Sequence, residues 1–146
     1  MYCSILLPVD LDQPRSWKKA LPTAVALSRC FDAKLSLASV VPEHVAMVKA
    51  QWSAIGYREM IETARARLGS LAATIEGAGN IDYHVDCGAI HATILSIAER
   101  FEADLIVLSS HRPVMRDYLL GANALRVLRH AKCSVFVVRD AEIDAD

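Results

Sequence analysis

The residues whose types and spacing could do chemistry gather in one stretch. Ser109, Ser110, His111 and Arg112 close a short apolar run, and Gly121 follows at the mouth of what reads as a helix. Serine hydroxyls and backbone N–H groups suit phosphate oxygens, and Arg112 adds a forked, permanently charged donor. Gly121, with the small Ala122 and then Asn123 behind it, would let an anion approach the unpaired N–H groups of a helix's first turn. Each residue also has a plainer role: Arg112 on the surface, His111 holding the loop, Asn123 capping the helix. A third feature is Asp10, just past the first apolar run. Its carboxylate can accept hydrogen bonds from a sugar hydroxyl or a base amine, or it can hold the turn toward Pro14. Together the three features favour binding of an anion or a nucleotide.

Catalytic machinery is harder to find. Ser110 and His111 are neighbours at a strand end and point apart, which argues against a nucleophile and its base. There is no GxSxG elbow, no HExxH, no GxGxxG and no GxxxxGK[ST]. Asp117 is the only acid between His111 and Gly121. A metal ion could still enter with a bound triphosphate, using phosphate oxygens as ligands. The five histidines and four cysteines lack metal-ligand spacing. Cys3, Cys30, Cys87 and Cys133 each lie in or beside an apolar segment, so buried, reduced thiols are expected.

The elements that must position these residues alternate. Cys3 to Val9 reads as a buried strand. A helix then runs from Pro14 to about Cys30, with Asp12 as its cap and Ala20, Ala24, Leu27 and Phe31 on one face. Ala33 to Val41 is a second strand ended by Pro42, and the segment after it reads as a loop with a helical turn. From Tyr57 to Ile75, Ile61, Ala64, Leu68, Leu71 and Ile75 repeat at helical spacing. Ile81 to Cys87 alternates like a half-buried strand, and Ile90, Ile94 and Ile97 mark a helix ending near Arg100. Ala103 to Ser110 is the most apolar strand. After the loop comes a helix with Leu125 and Leu128 facing inward, then a last strand, Cys133 to Val138. Strands alternating with helices of crossover length predict an α/β fold, a parallel sheet with helices on both faces. If the strand order reverses between the first and fourth strands, their carboxyl ends open on a crevice where Asp10 meets Ser109 to Arg112.

Bulk properties narrow the function. The chain has 146 residues, is 53% hydrophobic, and carries a formal net charge of -1. That predicts a single domain over 1-146, with 1-139 folded and an acidic tail, 140-146, loose. A balanced charge without aromatic–basic interleaving argues against nucleic acid. The N-terminus lacks a basic n-region and no run reaches spanning length, so a cytoplasmic protein without membrane insertion is expected.

The run from "ILLPVD" to "CSVFVV", above all "ADLIVLSSHRP…YLLGANALRVLRHAKCSVFVV", resembles the universal stress protein family. It is most similar to a small single-domain subgroup with SHRP and YLLG-x-NA motifs. The resemblance implies an open five-stranded parallel sheet of order 3-2-1-4-5, Rossmann-like and of the adenine nucleotide alpha hydrolase type. It implies a homodimer through the last strand, with a tetramer as an extension, and a stress-response or regulatory role with a protein partner. It further implies adenine nucleotide binding, ATP first and AMP or ADP as alternatives, with Mg2+ accompanying the phosphates, and no robust catalysis. A ligand-free dimeric interaction module and a slow ATP hydrolase are the competing readings. Nucleotide-binding members carry G-x2-G-x9-G-[ST] after the fourth strand. Here Ser109, Arg112, Gly121 and Ala122 hold those places, one residue short. By this likeness Asp10 and Val40 would hold the base, with Leu108 and Ser109 beside it, and Pro8 and Val9 would also belong to the nucleotide site. The phosphates would fall to His111, Arg112, Gly121, Ala122 and Asn123.

Overall fold

The computed structural model describes residues 1–52, 54–110 and 122–139. Five strands form one parallel sheet: β1 (Ser4–Pro8), β2 (Lys34–Pro42), β3 (Asp82–Gly88), β4 (Leu105–Ser110) and β5 (Ser134–Arg139). Their order is β3-β2-β1-β4-β5. The sheet therefore grows outward from β1 in one direction, then returns to its other side at β4. Ile5 pairs with Leu35 on one side and Leu105 on the other.

The two faces have separate cores. Ile5, Leu7, Leu35, Leu37 and Val107 point toward α1 (Ala20–Phe31) and toward α3 (Ala54–Thr74), which contributes Leu68. Leu6, Ala38, Ile106 and Leu108 point toward α4 (Ile90–Arg100) and α5 (Ala122–His130), which contribute Ile94, Ile97 and Val127. Successive strand residues face opposite sides. A run that is apolar at every position, like "ILL" or "LIVL", therefore belongs between two helical layers.

Four expectations need correction. The first helix does not start at Pro14. Pro14–Ser16 is a separate 3-10 turn, and Asp12 does not cap it: its carboxylate accepts from Arg67 instead. The segment after Pro42 is a helix, α2 (Glu43–Trp52). Its apolar residues run consecutively and only Ala46 is buried among its described side chains, so no helical period was there to read. In α5 the inward residue is Val127, with Ala124 beside it. Leu125 and Leu128 are 42% and 43% exposed. Finally, the thiols are free but not buried. Cys3 and Cys30 are exposed, Cys87 and Cys133 half-buried.

Candidate functional site

At the carboxyl ends of β1 and β4 the chain leaves in opposite directions, to α1 on one face and toward α5 on the other. The gap between these departures is a cavity of about 880 Å³, inside the range of ~300–1,000 Å³ usual for small-ligand sites. Pro8, Val9 and Asp10 enter it from β1, Val40 from β2, Leu108 and Ser109 from β4, and Ala122 and Asn123 from the start of α5. These eight sequence-predicted residues are thus brought together. His111, Arg112 and Gly121 lie outside the described residues.

The β1 loop is held by its own polar groups. The Asp10 N–H donates to Ser16 Oγ at 3.0 Å, and that hydroxyl lies 3.2 Å from the Asp10 carbonyl. The Asp12 N–H donates to Asp10 Oδ1 at 3.0 Å. Asp10 therefore fixes the turn and also lines the cavity. Ser109 Oγ donates to the Arg15 carbonyl at 3.3 Å, tying the end of β4 to the 3-10 turn beyond β1. The end of β4 and the segment that follows β1 are thus joined at the rim of the crevice.

A third wall, absent from the sequence reading of the site, comes from α3. Glu59, Met60, Thr63, Ala64 and Arg67 of α3 line the cavity. Arg67 donates from Nη1 to Asp12 Oδ1 and from Nη2 to the Leu11 carbonyl, each at 3.1 Å, clasping the β1 loop to α3. The spacing of Glu59, Thr63 and Arg67, at intervals of four, was the available signal: it places all three on one helical stripe. Ile90, Ile94 and Val127 supply apolar surface from α4 and α5. Interaction with the Cys87 side chain is the main cause raising the Tyr57 phenol above its ordinary pKa. Among the described residues no cluster of three or more His, Cys, Asp or Glu could hold a metal ion.

A parallel sheet wound in both directions from β1, with a cavity where its strand order reverses, defines the doubly wound α/β class. Within that class the chain belongs to the universal stress protein family, which it matches over residues 1–139. It is 31% identical over 144 residues to universal stress protein G of Salmonella typhimurium, covering 95% of this chain and 100% of that one. Its fold is similar to the universal stress protein from Archaeoglobus fulgidus in complex with dAMP (TM-score 0.66, 18% identity, covering 93% and 97% of the two chains). It is also similar to a universal stress protein in complex with cAMP (TM-score 0.61, 20% identity, covering 94% and 97%). Among the described residues no helix is long and apolar enough to cross a membrane.

Proposed function

We propose that this chain is a cytoplasmic stress-response protein that binds an adenine nucleotide in the crevice between β1 and β4, without robust catalysis. The observation that carries this reading is the cavity itself. It is of ligand size, it sits at the reversal of strand order, and Asp10 and Val40 stand on its wall together with the N-terminus of α5. The dAMP and cAMP complexes of similarly folded proteins support the ligand class. The base lies against Pro8, Val9, Val40, Leu108 and Ser109, with Asp10 accepting from its amine or from a ribose hydroxyl. The phosphates point toward Ala122 and Asn123, where the first-turn N–H groups of α5 favour negative charge. His111, Arg112 and Gly121 are proposed phosphate contacts. Magnesium would arrive on the phosphates of a bound ATP and draw its ligands from their oxygens.

The rest of the proposal concerns assembly. The chain forms one domain over 1-146, of the subgroup with SHRP and YLLG-x-NA motifs, and dimerises through the last strand, Cys133 to Val138. Support comes from β5, which ends the strand order among the described residues and carries Phe136, 44% exposed, and from exposed Leu125 and Leu128 on the adjoining helix. Such an edge needs cover, and a two-fold related copy supplies it. Mass spectrometry of the small molecule released when freshly purified protein is gently denatured tests the ligand. An adenylate in stoichiometric amount supports the reading. A different class of compound in that amount contradicts it.

A further inference from the structure

Asp10 is held twice, by different means. Its main chain is fixed within the loop: the N–H donates to Ser16 Oγ at 3.0 Å, and the carbonyl accepts from the Gln13 N–H at 3.1 Å. Its carboxylate is fixed through a neighbour, since Oδ1 accepts from the Asp12 N–H at 3.0 Å. That N–H and the Leu11 carbonyl belong to one peptide group, which is planar. Arg67 Nη2, reaching from α3, donates to the Leu11 carbonyl at 3.1 Å. The contacts therefore run from the guanidinium through one rigid plane to the Asp10 side chain. Arg67 also pairs with Asp12 Oδ1, but the Asp12 side chain is 82% exposed, and an ion pair so open to water contributes little. The bond to the peptide oxygen has the larger consequence: a guanidinium there fixes the tilt of the plane and polarises its N–H toward Asp10 Oδ1.

We propose that Arg67 is a positioning residue for the nucleotide site: through the Leu11–Asp12 peptide it holds the Asp10 carboxylate in the orientation that meets the ligand. The inference rests on the nucleotide reading above and deepens it. A carboxylate has two acceptor oxygens. With Oδ1 taken by the Asp12 N–H, Oδ2 is the acceptor offered to a base amine or a ribose hydroxyl. Without Arg67 the peptide can tilt, and the carboxylate must then be ordered at the moment of binding, which lowers affinity. The Arg67 side chain is 49% exposed, so its replacement leaves no hole in the core.

Calorimetric titration of AMP into the wild type, Arg67→Met, Asp10→Ala and the double variant tests it, with the fold of each checked by circular dichroism. Arg67→Met is expected to bind AMP about fivefold more weakly, the size of one net hydrogen bond. In the Asp10→Ala background no carboxylate remains to be positioned, so the same change weakens binding by less than about twofold. Should Arg67→Met fail to fold, Arg67→Gln takes its place in the cycle. Wild-type AMP affinity in the Arg67 variant, or an equal loss with and without the Asp10 carboxylate, overturns the inference and leaves the nucleotide reading intact. Failure of the wild type to bind AMP overturns both.

Discussion

Asp10 holds the β1 loop, and in the proposed reading it also meets the ligand. Its Oδ1 holds the turn through the Asp12 N–H, and an amide oxygen can accept that bond equally well. Asp10→Asn should therefore leave stability within about 0.5 kcal/mol of the wild type. It should weaken adenylate binding about tenfold or more, because a hydrogen bond to a charged group is worth ~1.5–3 kcal/mol. Thermal melts and titration of the same preparation check the pair of outcomes; a large loss of stability with unchanged affinity would assign Asp10 to the turn alone. His84 is a second residue-scale test. Its ring stacks on Phe101 with centroids 3.6 Å apart, and its buried Nε2 has no hydrogen-bond partner among the described residues. Burial pushes its pKa below the usual 6.5, reinforced by Arg100 and Arg65 and opposed by Asp82 and Asp86. The unfolded chain therefore takes up this proton first as pH falls. The contribution of neutral His84 is complete above about 6.5 and is lost as pH drops through the folded-state value. Melting temperature should fall between pH 7.5 and 5 more steeply in the wild type than in His84→Gln, and parallel declines would refute this.

The strands and the helices differed in how much of themselves the sequence revealed. "ILL" and "LIVL" are apolar at each position because both faces of β1 and β4 are covered, and that pattern has no competing explanation in a chain of this kind. The helices were harder where burial is one-sided and brief. Only one residue of α5, Val127, is fully buried, and two larger leucines beside it look like better core candidates by size alone. Their exposure follows from which stripe meets the sheet, a tertiary fact. Val127→Ala should cost about 2 kcal/mol, whereas Leu125→Ala should stay within about 0.5 kcal/mol; the reverse ranking in denaturant unfolding would reinstate the leucine-inward helix. The junction of β3 and α4 gives another element-scale test. Gly88 has φ +154°, and a Cβ there would lie 2.5 Å from Thr93 Oγ1. Gly88→Ala should destabilise by more than about 1 kcal/mol through backbone strain, measured by the same unfolding curves.

At the scale of the whole molecule, the site depends on topology more than on any motif. The residues of the crevice come from positions 8 to 16, 38 to 45, 56 to 67, 90 to 94, 108 to 109 and 122 to 127, and no linear signature spans them. Asp10 and Ser109 were legible because each ends an apolar strand. The α3 wall was not, since Glu59, Thr63 and Arg67 look like a solvated helix face until α3 is laid beside the β1 loop. The same topology leaves β5 as a sheet edge with exposed Phe136. If that edge is the dimer interface, Phe136→Lys should yield monomers in sedimentation velocity while preserving the fold, and an unchanged dimer would move the interface elsewhere.

The central claim is that the space between β1 and β4 is where an adenylate sits. Val40 lines that space from the end of β2, so Val40→Trp would fill it from within. The account predicts saturable AMP binding by the wild type and its loss in Val40→Trp, with both proteins equally folded by circular dichroism. Equal AMP affinity in the two proteins would contradict it.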